Sequence, residues 1–299
     1  MLGLLLLCLG VGSIAAMLLT GVLSTRYGSR PIILAGGFGL VVCMPLLAVA
    51  ASPVSLGLTL AAFGAALGSL DVAMNIHAVE VERAACRPLM SGFHAFFSIG
   101  GFAGAGVITV LLSANVAPFA TTLVASLPMA IAMVVASPRL LRASHPEGAP
   151  LIVAPHGIVL LLATSAAVMF LVEGAILDWS ALLVTEKGLV SEAQGGLGYS
   201  IFAIAMTAGR LGGDFVTARV GDRATLFWGG LATMAGFGLL LAAPIPAIAM
   251  SGFLLIGLGA SNIVPVLFRG AGAQRAMPAG LAVAAITTAG SHYGDRALR

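Results

Sequence analysis

Asp71 and Asn75 stand four residues apart inside an apolar stretch running from about Val54 to Ala78. In a helix they share a face, and Gly68 and Gly64, one and two turns earlier, admit a neighbouring helix closely. An ionised carboxylate in hydrocarbon costs a few kcal/mol or more, so Asp71 must face water or a partner. It can then neutralise by taking up a proton, or stay fixed by a hydrogen bond to an adjacent helix, and the spacing admits both. Ser91, His94 and Ser98 follow at steps of three and four along one stripe of the next apolar segment. Either that stripe lines a polar cavity, or its serines bond their own backbone while His94 bonds an adjacent helix. His77 falls at the end of its segment, at the membrane interface.

Glu173 and Asp178 lie five apart near the end of a later segment. Glu173 is the deeper, shares its face with Ser165 and Met169, and meets either substrate or a second proton. Asp178, beside Trp179 where an interfacial aromatic belt would sit, reads as a cap or gate residue. Arg210 and Asp214, four apart, are expected to pair within their helix as gate scaffolding. Asn262 and Pro265 point to a kinked helix whose one amide completes a binding surface or simply packs. Nothing here is a catalytic set: no Gly-rich phosphate loop follows a strand, and neither a His/Cys metal cluster nor a Ser-His-Asp arrangement occurs in a workable order. No cofactor and no metal are expected. Cys8, Cys43 and Cys86 have neither metal-site spacing nor disulfide density and read as packing residues.

The elements that must hold these residues follow from composition. Of 299 residues, 60% are hydrophobic and only 8% charged, and mean hydropathy is +1.10. A soluble chain carries about a quarter charged residues, and an outer-membrane barrel alternates polar with apolar, so an all-α polytopic membrane protein remains. The net charge of +3 comes from basic residues set singly or in pairs between apolar runs, which marks loop charges rather than a nucleic-acid-binding face. A bilayer core of about 30 Å needs about 20 apolar helical residues. Nine such spans are predicted, roughly Leu2 to Leu23, Ile32 to Ala50, Val54 to Ala78, Gly92 to Leu112, Ala117 to Val135, Gly157 to Leu177, Ala193 to Gly213, Thr225 to Ala243 and Ile245 to Phe268. A tenth begins near Gly280 and breaks at Ser291-His292-Tyr293-Gly294-Asp295-Arg296.

Arginine sets the orientation, because positively charged loops stay cytoplasmic. Arg26 and Arg30, Arg83 and Arg87, Arg139 and Arg142, Arg219 and Arg223, and Arg269 and Arg275 fall in alternate connections, whereas the opposite ones carry only Lys187 among basic residues. Met1 then lies on the outer face, which points to one span missing upstream. A cleaved leader is not expected, since the charges follow the first apolar run instead of preceding it.

Two inner loops repeat. Gly21 to Arg30 contains Arg26-x-Gly28-x-Arg30 and Asp214 to Arg223 contains Arg219-x-Gly221-x-Arg223, an offset of 219 − 26 = 193. Pro88 and Pro278 echo one another at an offset of 190. Parallel repeats of this size divide the chain into an N-terminal helical bundle, residues 1–136, a cytoplasmic central loop, 137–156, and a C-terminal bundle, 157–299.

The loop motif, the repeat and the long central loop resemble the major facilitator superfamily, whose members carry twelve spans in two six-helix bundles around a central cavity. On that template the chain covers helices two to ten and part of eleven, a truncated form of the fold. Asp71-Val-Ala-Met-Asn75, Ser91-Gly-Phe-His94 and Glu173-Gly-Ala-Ile-Leu-Asp178-Trp179-Ser180 further resemble the fucose-permease-like branch and its uncharacterised bacterial inner-membrane relatives. The resemblance implies a secondary transporter of the inner membrane that works by alternating access, not an enzyme. It implies proton coupling through Asp71, with Glu173 as the second candidate, and a substrate surface built from Asn75, His94 and Asn262. Gating would fall to Gly21, Arg26, Gly28, Arg30, Arg210, Asp214, Arg219, Gly221 and Arg223. Thr25 departs from the family pattern, which has aspartate there, so the usual charge relay is in question at the first loop. The expected partners are a small polar solute, a sugar or sugar acid first, together with protons and the lipid bilayer; the chain is expected to be monomeric and to bind no nucleic acid. An exporter of drugs or metabolites is the alternative within the fold. An intramembrane enzyme and a fragment that inserts without completing its cavity are the alternatives outside it.

Overall fold

The computed structural model describes residues 2–142 and 154–294. Most of the expected central loop, residues 143–153, and the expected break at Asp295-Arg296 therefore lie outside the described residues. Helices follow one another as α1 (Leu2–Tyr27), α2 (Ser29–Val49), α3 (Pro53–Ala85), α4 (Met90–Ser113), α5 (Pro118–Ala136), α6 (Ile158–Glu186), α7 (Leu197–Val220), α8 (Asp222–Ala242), α9 (Pro246–Ala260), α10 (Ile263–Ala273) and α11 (Ala279–Gly294), with no strand among the described residues. Proline opens α3, α5 and α9, where its missing N–H would be unpaired in any case and its fixed φ suits a first turn.

Each of the nine expected spans falls on helix. Among the described residues eight helical stretches are long and apolar enough to cross a membrane, Pro246–Ala273 counting as one. α7 has the length, 24 residues, but Arg210 and Asp214 inside it lower its hydropathy. Large apolar side chains such as Leu4, Val54, Val110 and Met234 stand fully outward, as a hydrocarbon solvent permits and water does not.

The ninth span is broken rather than kinked, for a reason written in its sequence. Pro265 has no N–H to give the carbonyl of Ser261, and Ser261 Oγ turns back to Leu258 O at 2.7 Å. The ladder lapses at Ser261 and Asn262, and α10 starts afresh.

The described residues of Met1–Val81, Gly100–Leu160 and Ala271–Thr288 form one compact unit, and those of Glu82–Ile99, Leu161–Gly270 and Ala289–Arg299 a second. Val72, Val159, Val283 and Ile286 are fully buried in the first; Met90, Leu240, Phe253, Ile256 and Phe268 are fully buried in the second.

The repeat is structural as well as textual. Gly28 and Gly221 adopt φ 85°, ψ 165° and φ 84°, ψ 161°, a region closed to residues with a Cβ, so the loop motif needs glycine at both places. Each closes the preceding helix in the same way, Gly28 N–H donating to Ser24 O at 3.0 Å and Gly221 N–H to Thr217 O at 2.9 Å. A Cβ on Gly64 would strike Leu9 O and one on Gly257 would strike Phe202 O; a Cβ on Gly36 would lie 2.9 Å from Ala66 O and one on Gly229 2.7 Å from Gly259 O. All these pairs are related by the same 193 residues. Glycine lets helix backbones touch there, and in both halves the same helices cross at the same depth.

Candidate functional site

The second unit holds a buried polar cluster in which α7 supplies the cation. Arg210 is 7% exposed. Its Nη2 donates to Glu173 Oε1 on α6 at 3.3 Å, its Nη1 to Ser98 Oγ on α4 at 2.9 Å, and its Nε to Ser261 O at 3.4 Å. That last acceptor is the carbonyl which Pro265 leaves without an intrahelical donor, so the break between α9 and α10 creates a ligand for the guanidinium. Ser98 Oγ in turn donates to His94 O at 3.1 Å, and the His94 ring stacks on Phe268, centroids 5.7 Å apart. Asn262 Nδ2 donates to Gly209 O at 3.1 Å and to Ser261 Oγ at 2.9 Å. His94 Nε2, Asn262 Oδ1 and Ser91 Oγ are buried without a hydrogen-bond partner. Leaving three buried polar atoms unsatisfied is expensive for a fold.

The expected pairing of Arg210 with Asp214 is corrected here. The two share a helical face, but Arg210 goes to Glu173, while Asp214 accepts the Ser91 and Gly92 N–H groups at 3.0 and 2.7 Å. Free backbone donors at a helix start compete better for a carboxylate than an arginine already held by three acceptors. Asp178 is exposed, five residues on from Glu173 and about two turns before the end of α6.

Gly213, one turn beyond Arg210, is the joint of the cluster. A Cβ there would fall on the Asn262 amide and 2.8 Å from Ser91 Cβ. Gly213→Ala should force Asn262 and α4 apart at a cost of about 1–3 kcal/mol. A lower midpoint of thermal unfolding in detergent, together with loss of transport, is the expected outcome; an unshifted midpoint would deny the close contact.

Sequence reasoning missed a second cluster, at the start of α4. Glu82 Oε2 accepts the Leu89 and Met90 N–H groups at 2.7 and 2.9 Å, so Glu82 and Asp214 together satisfy four donors at the start of this helix. Arg269 binds Glu82 in bidentate fashion at 2.6 and 3.2 Å and reaches Asp222 Oδ1 at 2.6 Å. The one sequence signal was a pair of acids, Glu80 and Glu82, just ahead of Arg83 and Arg87, and the structure places both acids in the last turns of α3.

In the first unit Asp71 and Asn75 share a face as expected. Asn75 Nδ2 donates to Asp71 O at 2.9 Å and to its Oδ1 at 3.2 Å, so the carboxylate's hydrogen bond comes from its own helix. Among the described residues Asp71 enters no ion pair. His77 is buried and bonds Ser29 Oγ at 2.9 Å and the Leu141 N–H at 3.3 Å, tying α3 to the start of α2 and to the stretch after α5. At the loop motif Arg26 lies over the Tyr27 ring, Arg30 holds Ser137 O at 3.1 Å, and Thr25 returns its hydroxyl to Gly21 O at 2.8 Å. Gly21 packs against α11, where a Cβ would come 2.8 Å from Ala284 Cβ. In the matching loop Arg219 lies over Phe215, and Arg223 is exposed.

A repeated bundle of apolar helices with ionisable groups buried inside its spans defines a multi-pass membrane protein built around polar sites. The chain belongs to the Major Facilitator Superfamily, whose family model matches residues 1–293. An uncharacterized MFS-type transporter of Yersinia pestis is 46% identical over 97% of this chain and 76% of the relative. An uncharacterized transporter of Sinorhizobium fredii is 31% identical over 95% of this chain and 76% of its own length. Among solved structures, the fucose:proton symporter FucP of E. coli superposes with TM-score 0.70 at 15% identity over 98% of this chain and 81% of that one. The human organic anion transporter MFSD10 gives 0.76 at 16% identity over 98% and 75%. These structures share the fold, which is the all-α, two-bundle membrane architecture expected from the sequence. Transporters of this superfamily bind small molecules within a lipid bilayer, as expected here.

Proposed function

We propose that the protein is a proton-coupled secondary transporter of the inner membrane that carries a sugar or sugar acid by alternating access, as a monomer and without enzymatic conversion. The observation that carries this reading is Asp71: a carboxylate inside a membrane-spanning helix, with no ion-pair partner among the described residues, whose one hydrogen-bond donor belongs to its own helix. Such a group is free to gain and lose a proton as its surroundings change. The symporter fold of FucP supports the analogy. Substrate would contact Asn75, His94 and Asn262, and Glu173 is the second proton candidate. The paired loops built from Gly21, Arg26, Gly28 and Arg30 and from Asp214, Arg219, Gly221 and Arg223 would gate the inner side of bundles 1–136 and 157–299, with residues 137–156 between them.

In liposomes, labelled sugar or sugar acid should accumulate inside only when a pH gradient is imposed, and a protonophore should collapse the accumulation. Uptake indifferent to the gradient would remove the coupling, and chemically altered solute would restore the enzyme alternative. Orientation has its own test, with native cysteines replaced. Single cysteines in place of Arg26, Arg83 or Arg219 should resist an impermeant thiol reagent in intact cells, and one in place of Lys187 should react; the reverse pattern would invert the topology.

A further inference from the structure

The second unit contains two arginine–carboxylate pairs, each with one buried partner, Arg210 in one and Glu82 in the other, and they differ in kind. Arg269 grips Glu82 with two donors, at 2.6 and 3.2 Å, and Asp222 and Asp214 complete its shell. Arg210 meets Glu173 through a single contact at 3.3 Å, and its other two acceptors, Ser98 Oγ and Ser261 O, are neutral. A permanent structural pair has the first geometry. The second leaves a buried cation under-coordinated on the side where Glu173 stands, at a desolvation cost which a folded bundle has no structural reason to keep. The helix that supplies Ser98 also carries the buried, unpartnered His94 Nε2 and Ser91 Oγ, and Asn262, whose Oδ1 is likewise buried and unpartnered, follows Ser261 in the chain. Ser98 Oγ, a ligand of Arg210, donates to the backbone carbonyl of His94, and Asn262 Nδ2 donates to the hydroxyl of Ser261, whose carbonyl Arg210 holds.

We infer that Arg210 is the anchor for a carboxylate of the transported solute, that Glu173 occupies this anchor when the solute is absent, and that His94, Asn262 and Ser91 receive the solute's hydroxyls. This rests on the transporter reading above and narrows its substrate to a hydroxylated monocarboxylate. Charge balances in the exchange. The solute brings one negative charge to the guanidinium, Glu173 releases it and takes one proton, and the cluster keeps its net charge while solute and proton enter together. Among the described residues the charged group facing Glu173 is Arg210 from α7; His94 on α4 lies one turn before Ser98, with its ring stacked on Phe268. Asp214 is engaged with the start of α4, and Arg269 with Glu82 and Asp222. The proton is additional to the one assigned to Asp71.

The test uses the purified chain in nanodiscs, calorimetric titration, and probes matched in carbon skeleton, D-gluconate against D-glucose, with glycerate and lactate as shorter acids. At least one acid should bind, about ten-fold more tightly at about pH 6 than at about pH 8, and glucose should not. Glu173→Gln should bind that acid at least as tightly at both pH values, because the competing carboxylate has lost its charge. Misfolding cannot produce that gain. Arg210→Gln should abolish acid binding, and Arg210→Lys, which keeps the charge, should restore part of it. Glucose binding equal to gluconate, binding of no acid, or an Arg210→Gln protein that still holds the acid would each overturn the inference. Proton-driven glucose uptake without acid binding would overturn it alone and leave the transporter reading standing; absence of flux for every probe would sink both.

Discussion

Asp71→Asn is expected to abolish accumulation driven by a pH gradient while leaving solute binding and exchange of labelled for unlabelled solute intact. Asparagine keeps the shape of the side chain and can still bond Asn75, whose amide now reaches Asp71 Oδ1 at 3.2 Å. What it loses is the ability to titrate. A carboxylate that neutralises on one side of the membrane lowers the cost of passing through the occluded state, and the cycle advances only if the proton leaves on the other side. An amide mimics the protonated form permanently, so loaded carriers can shuttle but an empty carrier cannot reset. The expected loss of uphill uptake is effectively complete. A purely structural Asp71 would behave otherwise, losing folding yield or every activity together. A variant that still concentrates solute at a pH-dependent rate would pass the role to Glu173.

Arg269→Gln should be the most destabilising substitution of a charged residue in the second unit. Glu82, Asp214 and Asp222 converge on Arg269, Glu82 with a side chain only 9% exposed. Removing the cation strands a buried carboxylate beside two others, and breaking a buried pair in this way costs about 3–5 kcal/mol. Glu82 and Asp214 also carry the first N–H groups of α4, so the start of that helix should loosen with them. Denaturant unfolding in detergent should reveal the loss, and the double variant Glu82→Gln/Arg269→Gln should recover part of it, since it leaves no unpaired charge. A single variant within about 0.5 kcal/mol of wild type would mean that the cluster is solvated and contributes little.

The separation between partners in the chain decided how much of this was legible in the sequence. Span positions, the shared face of Asp71 and Asn75 and the two glycine loops rest on local periodicity or on backbone angles that only glycine adopts, and residue types record both. The repeat was visible in one loop motif, yet it extends to close backbone crossings at Gly64 and Gly257 and at Gly36 and Gly229, which no motif marks because glycine is common throughout the chain. Arg210 was assigned its neighbour four residues on because helical geometry is the only proximity a sequence reveals. Its partner, Glu173, lies 37 residues away, and the partner of Arg269 lies 187 away. Pro265 was read as a kink; that it empties the Ser261 carbonyl for Arg210 depends on tertiary placement. The stacking of His94 on Phe268 was out of reach for the same reason.

Coupling is the centre of the account, and the proton itself can be followed. Liposomes containing the protein and a trapped pH-sensitive dye, given an inward gradient of sugar or sugar acid and no imposed pH difference, should acidify inside in step with net solute uptake. Asp71→Asn liposomes should exchange labelled solute with a flat dye signal. Net solute uptake by the wild-type protein without acidification, or acidification by Asp71→Asn at the wild-type rate, would contradict the account.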